Sequence, residues 1–292
     1  PGVSKLVGIG LKVISRVKPN LIWAFYVEPY GVAALLLSKL SGVPYVIRHA
    51  GSDLGRLMLT EQLKPLYSEV FKNASLVLTS QNHFEKFINM GINENKIVQY
   101  VSVRVPPDVF FPKKMPTGKF TVGIYGKAGD AKGSIELLKA IAILKNKGFP
   151  CRLKALWGGR FMPNVLRAIN SLDVGDKVSL EKYVPHWKIP DFIWNCHAIL
   201  FLENNFSISF HSPRVPRESL CCGRPVITTE EIEKKNPKLL STEKNCLIIP
   251  SAPLIPENIA MAIEELQAKI SSGDWPTEEW PDSGLIGVKT RK

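Results

Sequence analysis

The chain has 292 residues, 45% of them apolar and 22% charged, with 38 lysines and arginines against 26 aspartates and glutamates and a net charge of +12. That length suits two cores rather than one, and the composition excludes a disordered or fibrous protein. No run of about 18 uninterrupted apolar residues occurs, which argues against a membrane-spanning helix, and no secretory leader pattern is read. The sequence opens on Pro1, so a fragment or a processed form is expected.

A pI near 9.4 points either to an anionic partner or to a generally basic solvated surface. The basic residues are scattered, with only short pairs such as Lys113-Lys114 and Lys234-Lys235. A nucleic-acid arm would show a denser run or interleaved aromatics, so no nucleic-acid partner is expected. The five cysteines, Cys151, Cys196, Cys221, Cys222 and Cys246, form no CxxC pair. A disulfide framework or zinc site is not expected, and core thiols in a reducing cytoplasm fit best.

In chain order, short apolar runs at Leu21–Phe25, Tyr45–Ile47, Leu76–Thr79 and Ile97–Val101 predict buried strands, with helices over Val32–Leu40 and Glu61–Lys72. Such alternation predicts a parallel sheet covered by helices. Pro106-Pro107-Asp108 and the stretch from Pro112 to Gly118 then break the pattern, as a linker does. A second series follows. Strands are predicted at Phe120–Tyr125, Arg152–Leu156, Lys177–Leu180, Ala198–Leu202, Pro225–Thr228 and Cys246–Ile249. Helices are predicted at Ser134–Lys147, Asn164–Leu172, Ile189–Asn195, Pro216–Cys222 and Pro256–Ser271. Six strands satisfy a Rossmann-like domain; the first series has about four. The expected organisation is residues 1–108 as a Rossmann-like domain lacking its first strands, 109–118 as linker, 119–271 as a second Rossmann-like domain, and 272–292 as a tail that docks by Trp275 and Trp280 or hangs loose.

Three segments carry chemistry. Gly123-Ile124-Tyr125-Gly126-Lys127-Ala128-Gly129-Asp130-Ala131-Lys132-Gly133 follows a strand and opens a helix. Glycines let a ligand approach the backbone, the helix start is electropositive, and two lysines suit a diphosphate. It has neither Walker nor GxGxxG spacing, and a glycine-rich turn with solvated lysines explains it equally well. In the run from His211 to Ile227, Glu218 lies early in a short helix. It is either a partner of the helix dipole or an acceptor for two sugar hydroxyls. Arg48-His49-Ala50-Gly51-Ser52-Asp53 follows a strand directly, where His49 is either structural or crevice-facing.

Together these segments resemble the large retaining glycosyltransferase family 4 (group 1), over roughly residues 18 to 270. Gly126-Lys127 with Lys132-Gly133 fits the family's basic diphosphate motif, which implies that Lys127 and Lys132 hold the donor diphosphate. Glu218-Ser219-Leu220-Cys221-Cys222-Gly223-Arg224-Pro225-Val226-Ile227 fits the block whose glutamate binds the nucleotide ribose, implying that role for Glu218. His49 to Asp53 resembles the acceptor-side loop whose histidine lies beside the transferred sugar, and Phe71–Ser80 resembles the segment after it.

What the resemblance implies is an α/β protein of GT-B fold, with two Rossmann-like domains facing a cleft and the N-terminal one incomplete. The function implied is metal-independent transfer, with retention, from a nucleoside-diphosphate sugar to an acceptor hydroxyl. Its catalytic residues would be His49, Lys127 and Lys132, and its donor-binding residues Gly126, Lys127, Lys132, Gly133, His211, Arg214 and Glu218. No cofactor and no metal are expected. The partners are the nucleotide sugar, a carbohydrate or lipid-linked acceptor and, through the basic surface, an anionic membrane touched peripherally from the cytoplasm. One departure stands out: the second family glutamate, eight positions before Glu218, is Phe210 here, and Glu203 is the nearest upstream acid. Pro213 also offers no N–H to a phosphate. A degenerate, non-catalytic sugar-nucleotide-binding protein is the alternative.

Overall fold

The computed structural model describes residues 2–50, 53–54, 60–79, 83–99, 105–206, 213–236, 240 and 245–274. The tail expected to dock by Trp275 and Trp280, and the end of the fourth predicted strand at Tyr100 and Val101, lie outside them. The chain forms two compact units, the first described over residues 2–99 and the second from Val105 onward.

The first unit runs α1 (Val3–Val17), β1 (Ile22–Phe25), α2 (Val32–Ser41), β2 (Tyr45–Arg48), α3 (Lys64–Asn73), β3 (Leu76–Thr79), α4 (Phe84–Asn89) and β4 (Ile97–Gln99). Its four strands are parallel and stand in sequence order, β1-β2-β3-β4. Tyr45 and Ile47 of β2 and Val77 of β3 bury against Tyr67, Val70 and Phe71 of α3 and Phe87 of α4. Each such side chain contributes roughly 1.5–3 kcal/mol on leaving water. Helix α1 is absent from the sequence-based expectation: Gly2 at its start gives no side-chain cap, and none of its residues is buried.

The second unit runs β5 (Phe120–Lys127), α5 (Ser134–Asn146), β6 (Cys151–Gly158), α6 (Met162–Ser171), β7 (Val178–Leu180), α7 (Ile189–Trp194), β8 (Ala198–Phe201), α8 (Arg214–Cys221), β9 (Val226–Thr229), α9 (Glu230–Lys235), β10 (Cys246–Ile249) and α10 (Pro256–Ser272). All six strands are parallel, in the order β10-β9-β8-β5-β6-β7. The chain winds outward from β5 to β7 and then returns to wind the other way from β8. The carboxyl ends of β5 and β8 therefore flank the point where strand order reverses, the place at which open α/β sheets bind ligands. Leu137, Ile141 and Leu144 of α5 pack with Leu153 of β6 and Ile263 and Leu266 of α10 in its core.

Within the expected linker, Phe110 is buried in a cluster with Phe192, Ile193 and Ile199. Arg224, fully buried after α8, donates to the carbonyls of Lys113 (2.7 Å), Lys114 (2.8 Å) and Cys196 (2.8 Å). These charge-assisted bonds join residues 113–114 to the second unit. The five cysteines are free thiols. Burial pushes Cys151 and Cys196 up to about 12, so they act as small apolar groups. Among the described residues, no helix is long and apolar enough to cross a membrane.

Candidate functional site

The Gly126–Gly133 turn leaves the carboxyl end of β5 and enters α5. Gly126 has φ 120° and open space around it. Gly133 has φ 64°, and a Cβ there would lie 2.6 Å from a Leu254 methyl, 2.9 Å from Leu202 Cβ and 3.0 Å from the Leu202 oxygen. Any side chain at 133 is thus excluded by both conformation and space. Three bonds stiffen the turn: Ala128 N–H to Gly158 O (3.0 Å), Gly129 N–H to Ser134 Oγ (3.1 Å) and Asn204 N–H to Ala131 O (3.1 Å).

The two lysines differ. Lys127 is exposed at the strand end. Lys132 is partly covered, and its ammonium pairs with the fully buried carboxylate of Glu203 and lies 4.4 Å from the Phe206 ring centre. Burial pushes the Lys132 ammonium down to about 8. Repulsion from Lys127 adds to this, Glu231 opposes it and Lys235 adds again. At about 8, Lys132 is still a cation at neutral pH, and its contact with the Glu203 carboxylate suits the charged form.

Glu218 is buried in α8 at 2% exposure. Its Oε2 accepts from the Tyr125 hydroxyl at 2.8 Å, and its Oε1 lies 2.7 Å from His186 Nε2, which donates. Burial first, then the Glu218 charge, holds the Tyr125 phenol well above its ordinary value, so it remains a donor. Tyr125 sits two positions before Lys127 on β5, and this bond draws Glu218 toward the strand end that carries the charged turn. His186, Arg214, Pro106, Pro107 and Asp108 line a cavity of about 420 Å³ in the same unit.

His49 follows β2 in the first unit and is only 4% exposed. Its Nδ1 lies 3.1 Å from the Ala50 carbonyl oxygen, which can only accept, so Nδ1 carries the proton. Nε2 then accepts from the Thr79 hydroxyl at 2.7 Å. Burial pushes His49 down to about 4; the Ala50 bond opposes this, and His83 and Arg48 add to it. Asp53, buried at 1%, accepts from Ala50 N–H at 2.8 Å and braces the loop.

The structure therefore gathers Gly126, Lys127, Lys132 and Gly133 in one turn and ties Glu218 to the same strand through Tyr125. Arg214, exposed at the start of α8, shares the His186 cavity. Phe210, His211, Ser212, Gly51 and Ser52 lie outside the described residues. Sequence reasoning missed Tyr125 and His186 as partners of Glu218. A tyrosine between two glycines at a strand end was the available signal for the first; the second gave none. It weighed Glu203 only by its spacing from Glu218.

Two kinds of likeness bear on this geometry. Residues 11–82 match a family model described as glycosyl transferase 4-like. No curated protein gives a significant match. Among solved structures, sucrose-phosphate synthase from Thermosynechococcus elongatus aligns with TM-score 0.71 at 14% identity, over 97% of this chain and 72% of that one. HepE of Anabaena, solved in complex with UDP and glucose, aligns with TM-score 0.71 at 16% identity, over 98% of this chain and 78% of that one. The lipopolysaccharide outer core galactosyltransferase WaaB, in its apo form, aligns with TM-score 0.58 at 14% identity, over 99% and 76%.

A chain with one doubly wound parallel unit, carrying a charged glycine turn at its reversal point, and a second parallel α/β unit is an α/β protein with the GT-B fold. The likeness to a glycosyl transferase 4-like model is carried by residues 11–82, and the likeness to the solved structures is one of fold.

Proposed function

We propose that this chain moves a sugar from a nucleoside-diphosphate sugar to an acceptor hydroxyl, with retention of configuration and without a metal. The observation that carries this is the placing of Lys127 and Lys132 at the carboxyl end of β5, where strand order reverses. Two ammonium groups there offset the charge that develops on a departing diphosphate, which is the task a metal performs in other transferases. Gly126 leaves the backbone open to a phosphate. Glu218 accepts ribose hydroxyls beside its bonds to Tyr125 and His186, since each carboxylate oxygen has two lone pairs. The cavity at His186 and Arg214 would take the rest of the nucleotide, and the exposed rings of Tyr183 and Trp187, close to His186 in the chain, offer a base a stacking surface. The acceptor attacks from the face the diphosphate leaves.

The acceptor is carbohydrate or lipid-linked, and a peripheral membrane contact accompanies it. Helix α1 carries Lys5, Lys12 and Arg16 and no acid, with Ile9, Val13 and Val17 exposed four residues apart. A basic helix with an outward apolar stripe suits an anionic interface. Sedimentation with anionic but not zwitterionic vesicles tests this part.

The deciding experiment is a panel of nucleotide sugars, scored by calorimetry for binding and by product NMR for transfer, with and without a chelator. Binding followed by transfer of one sugar, its anomeric configuration kept and its rate unchanged by chelator, is the expected result. Binding without transfer favours the alternative of a non-catalytic sugar-nucleotide-binding protein. The engagement of both His49 ring nitrogens within the first unit speaks for that second reading.

A further inference from the structure

A buried acid stands where the second sheet reverses. Glu203 comes two residues after β8, is fully buried, and meets the Lys132 ammonium of the β5–α5 turn. Main-chain contacts fix both partners. Asn204 N–H donates to Ala131 O at 3.1 Å, Leu202 backs directly onto Gly133, and the Thr229 hydroxyl donates to the Glu203 carbonyl at 2.5 Å. The relative placing of carboxylate and turn is therefore set by the backbones of two adjacent strands, not by two flexible side chains meeting on a surface.

The surroundings make the pair consequential. Lys127 on β5 and Lys235 on α9 repel the Lys132 ammonium, while Glu231 on α9 attracts it from beyond contact. Glu231 is itself taken up by Lys235 at 2.7 Å. Among the described residues, Glu203 is the acid in direct contact with Lys132. A partly buried ammonium loses hydration, and the contacting buried carboxylate offsets that loss. An ammonium has three donors, so it can keep Glu203 and still reach an incoming oxygen.

We propose that Glu203 is a positioning residue for diphosphate recognition: its carboxylate keeps the Lys132 ammonium charged and fixed at the strand-order reversal, ready for a diphosphate. This rests on reading the Lys127–Lys132 turn as the diphosphate site. It also gives the acid closest upstream of Glu218 a role through Lys132, distinct from that of the family glutamate whose position Phe210 occupies.

The test uses the full chain and UDP as probe, with affinity measured by calorimetry from pH 6 to 9 for the parent and for Glu203→Gln, Glu203→Asp, Lys132→Met and the Glu203→Gln/Lys132→Met double variant. In the parent, UDP affinity should fall above about pH 8, as Lys132 loses its proton. In Glu203→Gln the midpoint of that fall should move down by about one pH unit or more, the usual size for loss of a contacting opposite charge. Glu203→Asp should restore part of it, and it keeps a charged variant available if the amide does not fold. In the Lys132→Met background, Glu203→Gln should change nothing further. A parent that binds no UDP at any pH overturns the underlying diphosphate reading. A parent that binds UDP, with an unmoved midpoint in Glu203→Gln, overturns this proposal alone. NMR titration of 13C-labelled lysine gives a second check without ligand: a Lys132 midpoint unchanged by Glu203→Gln is equally fatal to it.

Discussion

The loop after β2 and the turn after β5 occupy equivalent places, each at the carboxyl end of a parallel strand, yet they differ in chemistry. His49 is buried and neutral, with both ring nitrogens bound inside its own unit. Lys127 and Lys132 stay at or near the surface, repel each other, and are held by a stiff glycine turn and one buried acid. Topology puts a residue at a strand end, but burial and partners decide whether it faces outward as a ligand group or inward as a brace.

The largest expected effect tests the inward side of that contrast. His49 has a folded value of about 4 against 6.5 unfolded. Above 6.5 both states are neutral; as pH falls from 6.5 toward 4 the unfolded state takes up the proton first, so stability is lost over that window. The shift corresponds to about 3 kcal/mol. Urea unfolding of the parent between pH 7 and 4 should lose that much more than unfolding of His49→Gln. Equal losses would mean that His49 is not the buried neutral group described.

Next is the outward side. Lys132→Ala should weaken UDP binding by about 1.5–3 kcal/mol, the worth of a charge-assisted contact, and leave uridine binding nearly unchanged. Equal weakening of both ligands would show that Lys132 supports the fold and does not meet phosphate. Lys127→Ala should act in the same direction but less, because its exposed ammonium is screened by water. A larger effect at 127 than at 132 would invert the roles drawn above.

The smallest effect concerns Glu218. An amide has a single acceptor oxygen, so Glu218→Gln should narrow the preference for ribo- over deoxyribonucleotide by about 1 kcal/mol. Competition binding with UDP and dUDP measures it, and an unchanged ratio would confine Glu218 to bracing Tyr125 and His186.

Strand positions were largely legible beforehand. Leu76–Thr79 and Cys246–Ile249 coincide with β3 and β10, and the other described strands differ by one or two residues at their ends, because parallel strands buried on both faces read as unbroken apolar runs. Helix α9, Glu230–Lys235, was not legible: only Ile232 of its six residues is buried, so it shows no apolar period. The glycine turn was legible as well, since Gly126 and Gly133 announce positive φ and close approach by their identity alone.

What the sequence by itself determined, then, is where strands run and which strand ends carry charge, since both follow from local patterns of apolar and special residues. Only the tertiary structure decided how those charges are used. Tyr125 and Glu218 lie 93 positions apart, and His186 and Glu218 32. Glu203 meets Lys132 only because β8 returns beside β5. Burial and ion pairing arise from strands distant in the chain being laid side by side, and no local pattern records which distant strand that will be.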